Sequence, residues 1–135
     1  MSSEWSVAPY FHVPDIHQAV EYYQDKLGFT YSQLWGDPPN FVMMRREGAV
    51  IMISSIPLAE KYPELLSPNR KVDHHAWDAY IWIGTADIHE LYNELKGKGA
   101  IISHEPMKKE YYGMYELEVE DPWGYVICFG QNLEE

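Results

Sequence analysis

His74 and His75 look like a metal-binding pair, but their spacing argues against it. Consecutive side chains on an extended segment point to opposite sides, so the two rings cannot readily grip one ion. His12 shares strand parity with Ala8 and Tyr10. A lone imidazole there can hydrogen-bond a ligand or close a polar contact at the edge of the core. His17 and His89 fall in the first turns of predicted helices and are expected at the surface. The single cysteine, Cys128, has no Lys, Arg or His that the sequence clearly places beside it, and reads as a small buried apolar residue. No Ser-His-Asp arrangement, phosphate-cradling glycine loop or HExxH string is present, so nucleophilic and nucleotide chemistry have no positive support.

The aromatic residues offer more. Eleven Tyr, five Trp and four Phe in 135 residues are many for one core, and aromatic side chains also make favoured walls for ligand pockets. Asp and Glu number 21 against 10 Lys and Arg, a formal charge of −11. That charge repels phosphate backbones and anionic membrane surfaces, so neither nucleic acid nor membrane is expected as a partner, whereas a cationic ligand is attracted. No apolar run approaches membrane-spanning length and the N-terminus lacks the pattern of a secretory leader. With one cysteine and no possible intrachain disulfide, a reducing, cytoplasmic location is expected.

An internal repeat supplies the elements that position these residues. Asp15-Ile16-His17 recurs as Asp87-Ile88-His89. Ile16, Ala19, Val20, Tyr23 and Leu27 in the first copy, and Ile88, Leu91, Tyr92 and Leu95 in the second, follow the spacing of a helix with one buried face. Asp15 with Gln18 and Asp87 with Glu90 are capping pairs at the helix starts. Gly28 ends the first helix, and Gly97 or Gly99 the second.

An extended run precedes each helix, at residues 7–13 and 79–83, and three follow it: 29–35, 40–45 and 49–54 in the first copy, 100–104, 114–119 and 125–130 in the second. Asp121-Pro122-Trp123-Gly124 forms a hairpin turn. The chain therefore reads as a single α+β domain over residues 1–135, built from two tandem βαβββ modules at about 5–55 and 79–131. The connector, 56–78, holds three prolines and a candidate short helix at 58–66.

Several strings resemble a known family. DIHQAVEYYQDKLGF at 15–29, the strand-helix unit at 78–99, and YGMYELEVEDPWGYVICFGQ at 112–131 resemble the glyoxalase, bleomycin resistance and extradiol dioxygenase superfamily, also called vicinal oxygen chelate proteins. The likeness is nearest to the bleomycin resistance type. It implies that the modules form a cupped mixed sheet around a cavity, and that metalloenzymes of the family hold a divalent ion on the first and last strand of each module. Aligning helix starts and turns puts those positions at Ala8, Met52, Tyr80 and Cys128. Alanine and methionine give a hard divalent ion almost nothing, so no cofactor and no metal site are expected.

The resemblance carries a ligand-wall role onto Tyr80 and Tyr112 and matches Ser54 to a small hydroxyl residue. Strand alternation puts Met52 with Ser54, and Tyr80 with Trp82, on common faces. Trp35 and Phe41 join the candidate ligand-binding set by pattern alone. Pro9 matches a proline where an N-terminal arm crosses to a partner subunit, which implies a homodimer. The expected function is metal-free sequestration of a small aromatic or cationic molecule, such as a bleomycin-like antibiotic, in grooves at the dimer interface. The alternatives are a metal-dependent lyase, isomerase or dioxygenase of the same superfamily, and an interaction module whose cup is filled by its own side chains.

Overall fold

The computed structural model describes residues 4–55 and 76–133. Most of the connector therefore lies outside the described residues, including the candidate helix at 58–66 and the histidines at 74 and 75.

In the first module, β1 (Tyr10–Val13) leads into α1 (Ile16–Asp25), followed by β2 (Leu34–Trp35), β3 (Phe41–Arg46) and β4 (Ala49–Ser55). The second repeats the plan with β5 (Ala79–Trp82), α2 (Ile88–Gly97), β6 (Ile101–Lys109), β7 (Met114–Glu120) and β8 (Val126–Asn132). A short 3-10 turn at Glu110–Tyr112 precedes β7. The strand orders are β1-β4-β3-β2 and β5-β8-β7-β6. In each sheet the first strand pairs parallel with the last, and the other pairs are antiparallel. The sequence-derived α+β plan of two βαβββ units is thus the observed one.

The helices start where the capping residues stand. Asp15 accepts hydrogen bonds from the backbone N–H of His17 and Gln18, and Asp87 from that of His89. These bonds satisfy donors that a helix N-terminus otherwise leaves open. After α1 the chain turns at Gly28, whose φ is +75°. A Cβ there would also run into the Arg46 guanidinium. In the second repeat the helix runs through Gly97, and the left-handed residue is Gly99.

Two extents differ from the sequence reading. Residues 29–33 are not strand apart from an isolated bridge between Thr30 and Arg45, because Phe29 turns into the core and interrupts the ladder. β6 runs on to Lys109, with register shifts that let it follow the curvature of β7.

Alternation divides each sheet into two faces. Val42, Met44, Ile51 and Ile53 of the first, and Leu117, Val119, Ile127 and Phe129 of the second, are buried with Ile16, Ala19, Tyr23, Ile88 and Leu95 of the helices in one apolar cluster. Each of the Val, Ile, Leu, Met and Phe side chains among them stabilises the fold by about 1.5–3 kcal/mol before conformational entropy is counted.

Specific contacts join the modules on this side. The Phe11 and Tyr125 rings stack with centroids 4.1 Å apart. Arg46 makes a bidentate pair with Glu94 at 2.7 Å, which holds the Glu94 carboxyl down to about 2. The Tyr23 hydroxyl donates to buried Asp121 in the β7–β8 turn at 2.9 Å. The opposite face of each sheet forms its cup.

Candidate ligand-binding site

The second module's cup is built from alternate residues of three strands. β5 contributes Tyr80 and Trp82, and β8 contributes Cys128 and Gly130, which pair with them in register. β7 contributes Met114, Glu116 and Glu118, while its Leu117 and Val119 face the core. On this face Trp77, Tyr80, Trp82, Tyr112 and Met114 line a cavity of about 300 Å³. The rings of Trp77, Tyr80 and Trp82 form a tilted series with centroid separations of 5.0 and 4.7 Å. Trp77, Trp82 and Tyr112 are 41%, 69% and 41% exposed, so a large apolar surface stands open.

Two carboxylates lie beneath this wall. Glu116 is 2% exposed and Glu118 8%. One oxygen of Glu116, Oε2, accepts hydrogen bonds from the Tyr80 hydroxyl at 2.7 Å and from the Tyr112 hydroxyl. Trp77 Nε1 donates to Glu118 at 3.2 Å. Burial, then the bond to Glu116 and its negative charge, push both tyrosine pKa values up, so the phenols keep their protons as donors. Burial first, and the charges of Glu116 and Glu118 after it, push the Cys128 thiol up too. A protonated, fully buried thiol is not an activated nucleophile.

Gly130 makes this packing possible. Tyr80 lies across it, and a Cβ at that position would overlap the Tyr80 hydroxyl and crowd Met114. The requirement is for space, which no other residue type leaves.

The first module's cup carries Tyr10 and His12 of β1, Phe41 and Met43 of β3, and Met52 and Ser54 of β4. Trp35 of β2 pairs with Phe41 and is half exposed. Tyr10 makes ring contacts with His12 and Phe41. His12 Nδ1 lies 3.0 Å from Ser54 Oγ, and burial lowers the imidazole pKa, favouring the neutral ring. His17 and His89 are exposed.

The seven candidate residues thus fall into two groups. Tyr80, Trp82 and Tyr112 come together in one cavity, whereas Trp35, Phe41, Met52 and Ser54 belong to the other cup and do not line it. Trp77, Met114, Glu116 and Glu118 were not singled out by the sequence. Alternation in Met114–Glu120 does place the glutamates on one face, but such a face ordinarily reads as solvent-facing.

The metal positions need one register correction. Tyr10, rather than Ala8, stands opposite Met52, while Tyr80 does stand opposite Cys128. The shift of two residues preserves the face. The donors are then a phenol and a thioether in one cup, and a hydrogen-bonded phenol and a protonated thiol in the other. This set does not fit the divalent ion held by metalloenzymes of the resembling family. Among the described residues no three His, Cys, Asp or Glu side chains gather as a metal site.

A family model described as the glyoxalase/bleomycin resistance protein/dioxygenase superfamily matches residues 9–129. The chain belongs to this superfamily. Solved structures that it resembles include TioX from Micromonospora sp. ML1, at 17% identity and a TM-score of 0.68, with 96% of this chain and 100% of that one covered. A superfamily member from Sphaerobacter thermophilus DSM 20745 matches at 22% identity and a TM-score of 0.66 over 96% of this chain and 98% of that one. A glyoxalase/bleomycin resistance protein/dioxygenase from Alicyclobacillus acidocaldarius matches at 17% and 0.68 over 95% and 91%. At such identities the likeness concerns the superfamily fold, which hosts more than one chemistry. No curated protein matches the chain. No helix among the described residues is long and apolar enough to cross a membrane.

Proposed function

We propose that this superfamily member is a metal-free, non-catalytic binding protein that sequesters a small aromatic or cationic molecule, such as a bleomycin-like antibiotic, in the cup of its second module. The observation that carries this reading is the half-exposed wall of Trp77, Tyr80, Trp82 and Tyr112 above buried Glu116 and Glu118. Aromatic faces attract cations and stack on flat rings, and both effects strengthen where water is excluded. The formal charge of −11 draws a cation toward the protein.

The reading includes a homodimer. Both cups present exposed aromatic side chains, and Trp5 and Val7 on the N-terminal arm are each 95% exposed. A second copy laying its first-module cup over this cavity would bring Trp35, Phe41, Met52 and Ser54 into the groove that Tyr80, Trp82 and Tyr112 line. A cytoplasmic location agrees with the single buried thiol.

A thermal-shift screen tests the function, because a ligand that binds only the folded state raises apparent stability. Metal-free protein is expected to melt higher with bleomycin-type or other aromatic cationic compounds and unchanged with divalent ions. A shift with an ion alone would overturn the reading in favour of a metalloenzyme. Light scattering after size exclusion is expected to give twice the chain mass, and a monomer would remove the shared groove.

A further inference from the structure

Resting on that reading of the cup, we propose that Glu116 selects cations that carry an N–H, namely protonated amines, guanidinium or amidinium groups, over quaternary ammonium ions of similar size and equal charge. The aromatic wall attracts either kind. What separates them is the hydrogen-bond inventory beneath it.

Glu116 is 2% exposed, and its second oxygen, Oε1, has no hydrogen-bond partner among the described residues. An acceptor left bare in the interior costs about 1–3 kcal/mol, more when charged, so native structures rarely keep one without a reason. The donors around it are already committed. The Tyr80 and Tyr112 hydroxyls both donate to Oε2, and Trp77 Nε1 donates to Glu118. Met114 has no donor, and the Cys128 thiol, whose hydrogen bond to Glu116 helps to push its pKa up, is a weak donor that carries no positive charge. Lys109 of β6, registered opposite Met114, is near enough to affect Cys128 electrostatically but forms no ion pair among the described residues.

Behind the cavity wall, among the described residues, Glu116 therefore keeps an acceptor with no strong donor to spare for it, and a donor that arrives with the ligand would complete it. A neutral alcohol or amide would bring the hydrogen without the charge, and a quaternary ammonium ion the charge without the hydrogen. A protonated amine brings both, and charge-assisted hydrogen bonds are roughly twice as strong as neutral ones. Its carbon substituents are then left for the rings of Trp77, Tyr80 and Trp82.

Benzylammonium and benzyltrimethylammonium, titrated calorimetrically into the full-length protein at neutral pH, separate these terms. Benzylammonium is expected to bind at least tenfold more tightly. Glu116→Gln, which keeps the shape, is expected to weaken it by about tenfold while changing benzyltrimethylammonium by less than about threefold. The wild-type preference can be read whether or not the variant folds, and circular dichroism checks the variant. Equal affinities of the wild type for the two probes would overturn the selectivity. So would failure of both benzyl cations to bind while indole binds and is lost in Trp82→Ala; in either of these outcomes the cup would still stand as a binding site. If no organic probe binds, both readings fall.

Discussion

The two modules share strand order, strand direction and a capped helix on the buried side, yet their cups differ in what lies at the bottom. In the first, His12 and Ser54 satisfy one another beneath Tyr10, Phe41 and Met52. In the second, two buried glutamates take up the hydroxyls and the indole N–H of the wall above them. The hairpin turns differ as well. The β3–β4 connection is the exposed pair Glu47-Gly48, whereas the β7–β8 turn carries Asp121, which accepts from Trp123 N, Tyr125 N and the Tyr23 hydroxyl of the first module. One scaffold thus backs its surface with a histidine-serine pair in one repeat and with two glutamates in the other, through residues that leave the ladder unchanged.

The largest way to break this contrast is Gly130→Val. The added branch would displace Tyr80 and leave Glu116 without one of its two phenol donors. A loss of about 3 kcal/mol or more in denaturant unfolding is expected, together with loss of ligand binding.

Asp121 gives the next largest effect. Burial pushes its carboxyl up to about 6, against the opposing pull of its three donors. A folded-state pKa above the unfolded value means that the folded form binds the proton more tightly. The resulting stability is fully present below about pH 4 and is lost as pH rises through about 6. Wild type measured against Asp121→Asn should lose up to about 3 kcal/mol of relative stability across that window. A flat difference would show that the turn is not strained by its charge.

Smaller effects sharpen the comparison at the wall. Trp82→Ala should weaken an aromatic cation by about tenfold, roughly 1.4 kcal/mol, with little change in melting temperature because the ring is mostly exposed. Phe41→Ala in the other cup should change the same affinity by less than about threefold.

Much of the fold was legible because its signals are local. Asp15 and Asp87 cap helices whose buried stripes follow directly from the spacing of Ile16, Ala19, Val20 and Tyr23 and of Ile88 and Leu95. The pairing of Tyr80 with Trp82 on one face followed from strand alternation alone. The stretch after Gly28 misread as strand because Phe29 is apolar for the core and not for a ladder. Glu116 and Glu118 were invisible as site residues because alternation assigns a face without saying whether that face is wet. Among the described residues, Trp77, Tyr80 and Tyr112 close over them, with Gly130 leaving room for Tyr80. Trp77 escaped notice because it stands before β5, in what read as connector.

The most direct test of the module-two site is an indole N–H spectrum of uniformly 15N-labelled protein during titration with benzylamine, with the five tryptophans assigned by single Trp→Phe variants. The Trp77 and Trp82 signals are expected to move in a saturable way while buried Trp123 stays fixed, and Trp35 to follow only as part of a dimer groove. Movement of Trp35 with Trp77 and Trp82 unchanged would place the ligand in the first module's cup and contradict the account.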